Sequence, residues 1–188
     1  MSTLIANTLQ ANTLQGINTI KYDASTTALN INSSGTVTAP KMVAFSCTLN
    51  ADHTHNQTTL KVSGWTVRTS SGTGHRINST RISGFDTTNS RFTAPVAGLY
   101  CMYYKPDYDR TLTTNHYISF GVNGNTREFD VMEDQPQNSN SGCMYACLLE
   151  LQANDYVELF TKGGSTYGLR GTTSGHQYHT MWYGYLIG

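Results

Sequence analysis

From residue 41 onward the apolar positions come in short bursts separated by Gly, Asn, Ser and Thr, and no stretch combines a helical period with helix caps. The bursts predict strands at 42–49, 57–68, 76–83, 91–93, 99–104, 116–122, 126–131, 143–151, 156–162 and 178–187. Asn123-Gly124 between two of them is the strongest hairpin signal in the chain. Residues 70–74 and 133–142 read as polar loops. Many short strands without helices predict an all-β sandwich or barrel.

Three of these strands depart from simple alternation. Leu99-Tyr100-Cys101-Met102-Tyr103-Tyr104, Cys143-Met144-Tyr145-Ala146-Cys147-Leu148-Leu149 and Met181-Trp182-Tyr183-Gly184-Tyr185-Leu186-Ile187 are apolar on both faces. One face of a sandwich strand meets the core, so the other needs a cover, and large bare apolar patches are uncommon on monomers. Self-association is the expected cover. Tyr100, Met102, Tyr104, Met144, Leu148, Trp182, Tyr183 and Tyr185 are the candidate interface residues. Tyr suits that role because it buries area while keeping a hydroxyl for a partner.

Residues 1–40 form a separate region with only two charged side chains, Lys21 and Asp23. Ala6-Asn7-Thr8-Leu9-Gln10 is repeated at once as Ala11-Asn12-Thr13-Leu14-Gln15. Leu29 to Asn32 alternates, Ser33-Ser34-Gly35 reads as a turn, and Thr36-Val37-Thr38 alternates again. One such hairpin cannot bury a core alone. It is expected to act as an anchor or stalk ahead of a head at 41–188.

Composition narrows the function. Charged residues are 13% of the chain and the net charge is +0, which excludes broad electrostatic attraction to nucleic acid or an anionic membrane. No apolar run approaches about 18 residues, so no membrane insertion is expected, and the first residues carry no pattern of a secretory signal. Thr is the commonest residue and Tyr contributes 12, a composition for strands rather than disorder.

The segment Phe85-Asp86-Thr87-Thr88-Asn89-Ser90-Arg91-Phe92-Thr93-Ala94-Pro95-Val96-Ala97-Gly98-Leu99-Tyr100 resembles the signature of the complement C1q globular head, in the C1q/TNF superfamily. Val122-Asn123-Gly124, the run from Leu148 to Leu159 with Asp155, and Trp182-Tyr183-Gly184-Tyr185-Leu186-Ile187 resemble later strands of that family in the same order. Asn154 stands where the family usually has Gly, and Tyr183 where it has Ser. The resemblance implies a ten-stranded jelly roll assembled as a homotrimer, with ligand binding and no catalysis. No Gly-X-Y stem is present, and the uncharged leader with its short β repeats resembles bacteriophage fibre proteins. Together these imply a trimeric virion protein. It would be a fibre or tail knob for attachment to a host receptor or glycan, with residues 1–40 meeting other virion proteins. The alternative is a capsid-decorating or head-fibre protein docked by that segment.

Candidate chemistry is sparse. His53 and His55 would point to one side of a strand, and three copies at a three-fold axis would offer six imidazoles to a metal; no other cofactor is expected. Cys47, Cys101, Cys143 and Cys147 show no zinc spacing and read as buried free thiols; Cys143 and Cys147 would sit about 13 Å apart in a strand, too far for a disulfide. The pairs Asp107/Asp109 and Glu133/Asp134 have the residue type of glycosidase carboxylates, but no surrounding motif supports an enzyme. Tyr103, Tyr104, Tyr108, Tyr167 and Tyr178 lie in or near predicted loops and suit sugar surfaces, which points to 105–115, 133–141 and 163–175 as binding loops.

Overall fold

The computed structural model describes residues 19–21, 27–38, 42–55, 59–68, 83–109, 115–133, 144–163, 166–172 and 180–187 of the chain. Two compact units follow one another, Met1–Lys41 and Met42–Gly188. In the first, β1 (Thr19–Lys21), β2 (Thr27–Ile31) and β3 (Val37–Thr38) make an antiparallel meander. Asn32 shapes the β2–β3 turn: its side-chain oxygen accepts the amides of Ser34 at 3.0 Å and Thr36 at 2.8 Å. This is the Asx chemistry that makes Asn a turn residue.

The second unit holds β4 (Ala44–Leu49), β5 (His53–His55), β6 (Leu60–Lys61), β7 (Trp65–Val67), β8 (Phe85–Asp86), β9 (Arg91–Thr93) and β10 (Gly98–Lys105). It continues with β11 (His116–Val122), β12 (Asn125–Glu133), β13 (Tyr145–Leu151), β14 (Tyr156–Gly163), β15 (Tyr167–Leu169) and β16 (Met181–Leu186). One sheet runs β13-β10-β16-β4-β7 and the other β12-β11-β14-β9-β8, with β6 beside β14 and β15 paired to β5. Every pairing is antiparallel, and the neighbours β10, β16 and β4 are far apart in sequence. The result is an all-β jelly roll. Its strands appear as thirteen segments among the described residues because several are pieces of two or three residues.

Most predicted strands lie where the pattern put them; 76–82 falls outside the described residues. One differs in kind. Residues 57–68 read as a single strand, yet β6 pairs with β14 in one sheet and β7 with β4 in the other. The chain crosses between sheets at Ser63-Gly64, where Gly64 takes φ of 80° and a Cβ would come within 2.7 Å of Asn50 Oδ1. A left-handed residue this close to its neighbour has to be glycine. The predicted hairpin at Asn123-Gly124 is present, with φ of 50° and 82°, the pair of positive values that a type I′ turn requires.

The core is an aromatic layer that joins the two sheets. Phe45 on β4 stacks on Phe92 of β9 at 4.7 Å between centroids and meets Phe85 of β8 at 5.1 Å. Trp182 on β16 stands edge-on to Phe45 at 5.3 Å and to Phe85 at 5.2 Å. Tyr100 closes the group against Phe92 at 5.4 Å. These offset and edge-to-face contacts each add about 0.5–1.5 kcal/mol beyond the burial of area. Gly184 makes room for them: a Cβ there would lie 2.9 Å from Phe45 Cε1 and 2.6 Å from Met102 Sδ.

Two substitutions test this layer. Phe92→Ala should lower the unfolding free energy by about 3–5 kcal/mol and Gly184→Ala by about 1–3 kcal/mol. Urea titration should show both as a lower midpoint at unchanged slope.

Candidate functional site

Strand alternation turns the second face of the five-stranded sheet outward with an apolar surface. Along β10 the outward positions are Leu99, Cys101, Tyr103 and Lys105; along β13 they are Met144 (just before the strand), Ala146, Leu148 and Glu150. On β16 they are Met181, Tyr183 and Tyr185, with Ile187 following. Tyr103 stacks on Tyr183 at 4.9 Å and 11° between planes, and on Tyr185 at 6.1 Å. The Tyr183 hydroxyl reaches Met144 Sδ at 2.8 Å, and the Tyr103 and Tyr185 hydroxyls meet at 3.5 Å. Hydrogen bonding to Cys101 and to Tyr185 raises the Tyr103 phenol well above its usual range. The three rings form one continuous platform flanked by exposed Met144 and Leu148, 59% and 54% accessible.

This divides the candidate interface residues. Met144, Leu148, Tyr183 and Tyr185 lie on the outer face. Tyr100, Met102, Tyr104 and Trp182 do not: all four have 0% exposure inside the chain's own core, so their side chains have no surface left for a partner. Tyr103, expected near a binding loop, is part of the platform instead. The signal that separates the two groups is parity, since Tyr103 pairs with Tyr183 across the outer face while Tyr104 pairs with Trp182 across the inner one.

The proposed metal ligands also part. His53 and His55 do lie on β5 with their rings 6.2 Å apart. His55, however, is 2% exposed, so it cannot meet other copies at an axis. Its Nδ1 lies 3.0 Å from Thr161 Oγ1, which accepts the Tyr167 hydroxyl at 2.7 Å, and its ring stacks on Tyr167 at 5.3 Å. His116 packs edge-on against Tyr167 at 4.5 Å, with Nδ1 2.6 Å from the Tyr108 hydroxyl. No cluster of three metal-ligating side chains occurs among the described residues. Burial first, then the nearby His53 and His116, push the His55 pKa down to about 4. The imidazole is a neutral structural element.

Tyr104, Tyr108 and Tyr167, expected in or near sugar-binding loops, are likewise fully buried: Tyr104 on the inner face of β10 opposite Trp182, Tyr108 and Tyr167 where the chain around 108 and 169 bridges back onto itself. Of the expected binding loops 105–115, 133–141 and 163–175, residues 110–114, 134–141, 164–165 and 173–175 fall outside the described residues, as does Tyr178. Asp107 is 8% exposed and Asp109 is engaged by the Gly168 amide at 2.9 Å, so this pair braces the fold; the Glu133/Asp134 side chains fall outside the described residues. Cys47, Cys101 and Cys147 are free; Cys143 is outside the described residues. Burial raises Cys47 and, with Cys101 nearby, pushes Cys147 up to about 12, so neither is a nucleophile near neutral pH.

The residues that carried the C1q resemblance hold turns. Asp86 accepts the Asn89 side-chain amide at 2.6 Å and the backbone amides of Asn89 at 3.0 Å and Thr88 at 2.9 Å, which lowers its carboxyl pKa. Tyr100 donates to the Val96 carbonyl at 2.7 Å. Asn123 donates to Asp155 at 2.8 Å and accepts the Tyr156 amide at 3.0 Å, tying two neighbouring turns. Asn154 takes φ of 74°, a conformation that Asn tolerates in place of Gly.

No protein-family model and no curated protein matches the chain. Solved structures do. Eiger TNF from S. frugiperda superposes with a TM-score of 0.54 at 12% identity, covering 79% of this chain and 94% of that one. The globular domain of zebrafish complement 1qA gives 0.46 at 15% identity over 78% and 98%. Murine APRIL at pH 8.5 gives 0.48 at 13% identity over 77% and 99%. The likeness to Eiger TNF establishes the fold, a TNF/C1q-like jelly roll.

The buried imidazole makes stability pH-dependent. The folded pKa of His55 lies below its ordinary value of 6.5, so protonation favours the unfolded chain. Its contribution is complete above pH 6.5 and is lost as pH falls towards 4, by about 3 kcal/mol in all. Unfolding midpoints at pH 7 and pH 4.5 should differ clearly in the parent and by much less in His55→Gln.

Proposed function

We propose that this chain is a homotrimeric virion protein, a bacteriophage fibre or tail knob whose jelly-roll head attaches to the host surface. One observation carries the self-association. Of the ten exposed large hydrophobic residues among those described, five (Leu99, Met144, Leu148, Tyr185 and Ile187) belong to the outer face of one sheet. An apolar patch gathered on one face is the signature of an interface rather than of scattered surface residues. The stoichiometry of three rests on the sequence resemblance to the C1q/TNF superfamily, whose heads assemble as trimers. The virion setting is supported by the repeated, almost uncharged leader and by a first unit of three short strands.

That first unit also favours a second reading, a capsid-decorating protein. Its strands are two to five residues long, and Ile20 and Val37 are exposed at 43% and 57%, surface that another virion protein would cover. Both readings place the protein on the particle and differ in where.

The double variant Leu148→Asp/Tyr185→Asp should weaken association at least about 30-fold in sedimentation velocity, the loss of one strong contact or more, while its β signal in circular dichroism persists. Unchanged association would remove this face from the interface. Immunogold labelling of purified particles tests the setting: label at tail tips supports the knob, label over the capsid supports decoration, and unlabelled particles contradict both.

A further inference from the structure

The outer face of the other sheet carries a cavity of about 260 Å³ lined by Thr59, Tyr117, Ser119, Thr126, Phe160 and Lys162. It lies on strand faces, apart from the loops that the sequence favours and apart from the tyrosine platform. Its geometry follows from register: Tyr117 stands opposite Lys162 and Ser119 opposite Phe160 on β11 and β14, with all four pointing away from the core. The Phe160 ring packs against Gly121, where a Cβ would come 2.7 Å from its Cε2. Opposite Gly121, Glu158 is occupied by Lys61 at 2.6 Å. Lys162 makes no ion pair among the described residues.

The polar lining is incomplete. Ser119 is 5% exposed, and its hydroxyl has no hydrogen-bond partner among the described residues. Buried hydroxyls left unpaired cost free energy, so such a group lining an open cavity is where a ligand oxygen belongs. Beside it the half-exposed Tyr117 ring and the Phe160 ring offer apolar walls, the Thr59 and Thr126 hydroxyls further bonding capacity, and Lys162 one cation. The cavity is smaller than those that enclose drug-sized molecules, about 300–1,000 Å³. It fits a unit about the size of one sugar ring.

We propose that this cavity binds a carboxylate-bearing saccharide residue, its ring face against Tyr117 and Phe160, a hydroxyl on Ser119 and its carboxylate on Lys162. The assignment deepens the host-attachment reading and rests on it for its biological purpose, though the chemistry stands on the cavity alone.

The test is chemical-shift titration of the full chain with methyl glucuronide and with methyl glucoside. Saturable binding of the glucuronide with a dissociation constant of about 1 mM, with shifts centred on β11 and β14, is expected, and binding of the neutral sugar about tenfold weaker. Lys162→Met should erase the preference for the acid, and Tyr117→Ala should abolish binding of both; both side chains are on the surface, so the fold survives. No saturation with either sugar, shifts away from β11 and β14, equal binding of the two sugars by the parent, or unchanged binding by both variants would overturn the site. Binding by a chain absent from particles keeps the site and defeats the attachment reading. A chain that labels particles and binds neither sugar defeats the site alone.

Discussion

The contact on which the rest depends is the stack of Phe45 on Phe92, one ring from each sheet, with Trp182 set edge-on against the first. Because side chains alternate along a strand, fixing Trp182 inward also fixes Tyr183 and Tyr185 outward. The same pairing that places Tyr104 beside Trp182 places Tyr103 beside Tyr183 on the opposite face. Core and platform are therefore two consequences of one register. A slip by one residue would exchange them.

At the other end of the sandwich polarity is buried rather than exposed. Tyr167, Thr161 and His55 form a hydrogen-bonded chain, and His116 with Tyr108 closes against it. Such a network suits a neutral imidazole, because a charged ring buried away from water is disfavoured. The apolar outer face of one sheet, the half-polar cavity on the other and this buried polar network give the jelly roll three chemically different regions on one scaffold.

Much of this was legible in the sequence, and the limits have physical causes. Strand positions, the Asn123-Gly124 hairpin and the jelly roll follow from turn residues and from motifs that hold turns, such as Asp86 and Tyr100. Which way the two-faced strands point was not legible, since a strand apolar on both sides gives alternation nothing to read; half of the interface residues expected from sequence are core for that reason. Residues 57–68 kept one hydrophobic pattern across a change of sheet, and only Gly64 marked it. His55 looked free to meet other copies because its cover, Tyr167 and Thr161, comes from more than a hundred residues further along the chain. The cavity at Ser119 had no signal at all, being made by register between β11 and β14.

The central claim is that the tyrosine platform is an interface between copies of this chain. Sedimentation equilibrium of the full protein tests it most directly. The account predicts a single species at three times the chain mass of 20.7 kDa, persisting on dilution. A species of 20.7 kDa at every concentration would contradict it.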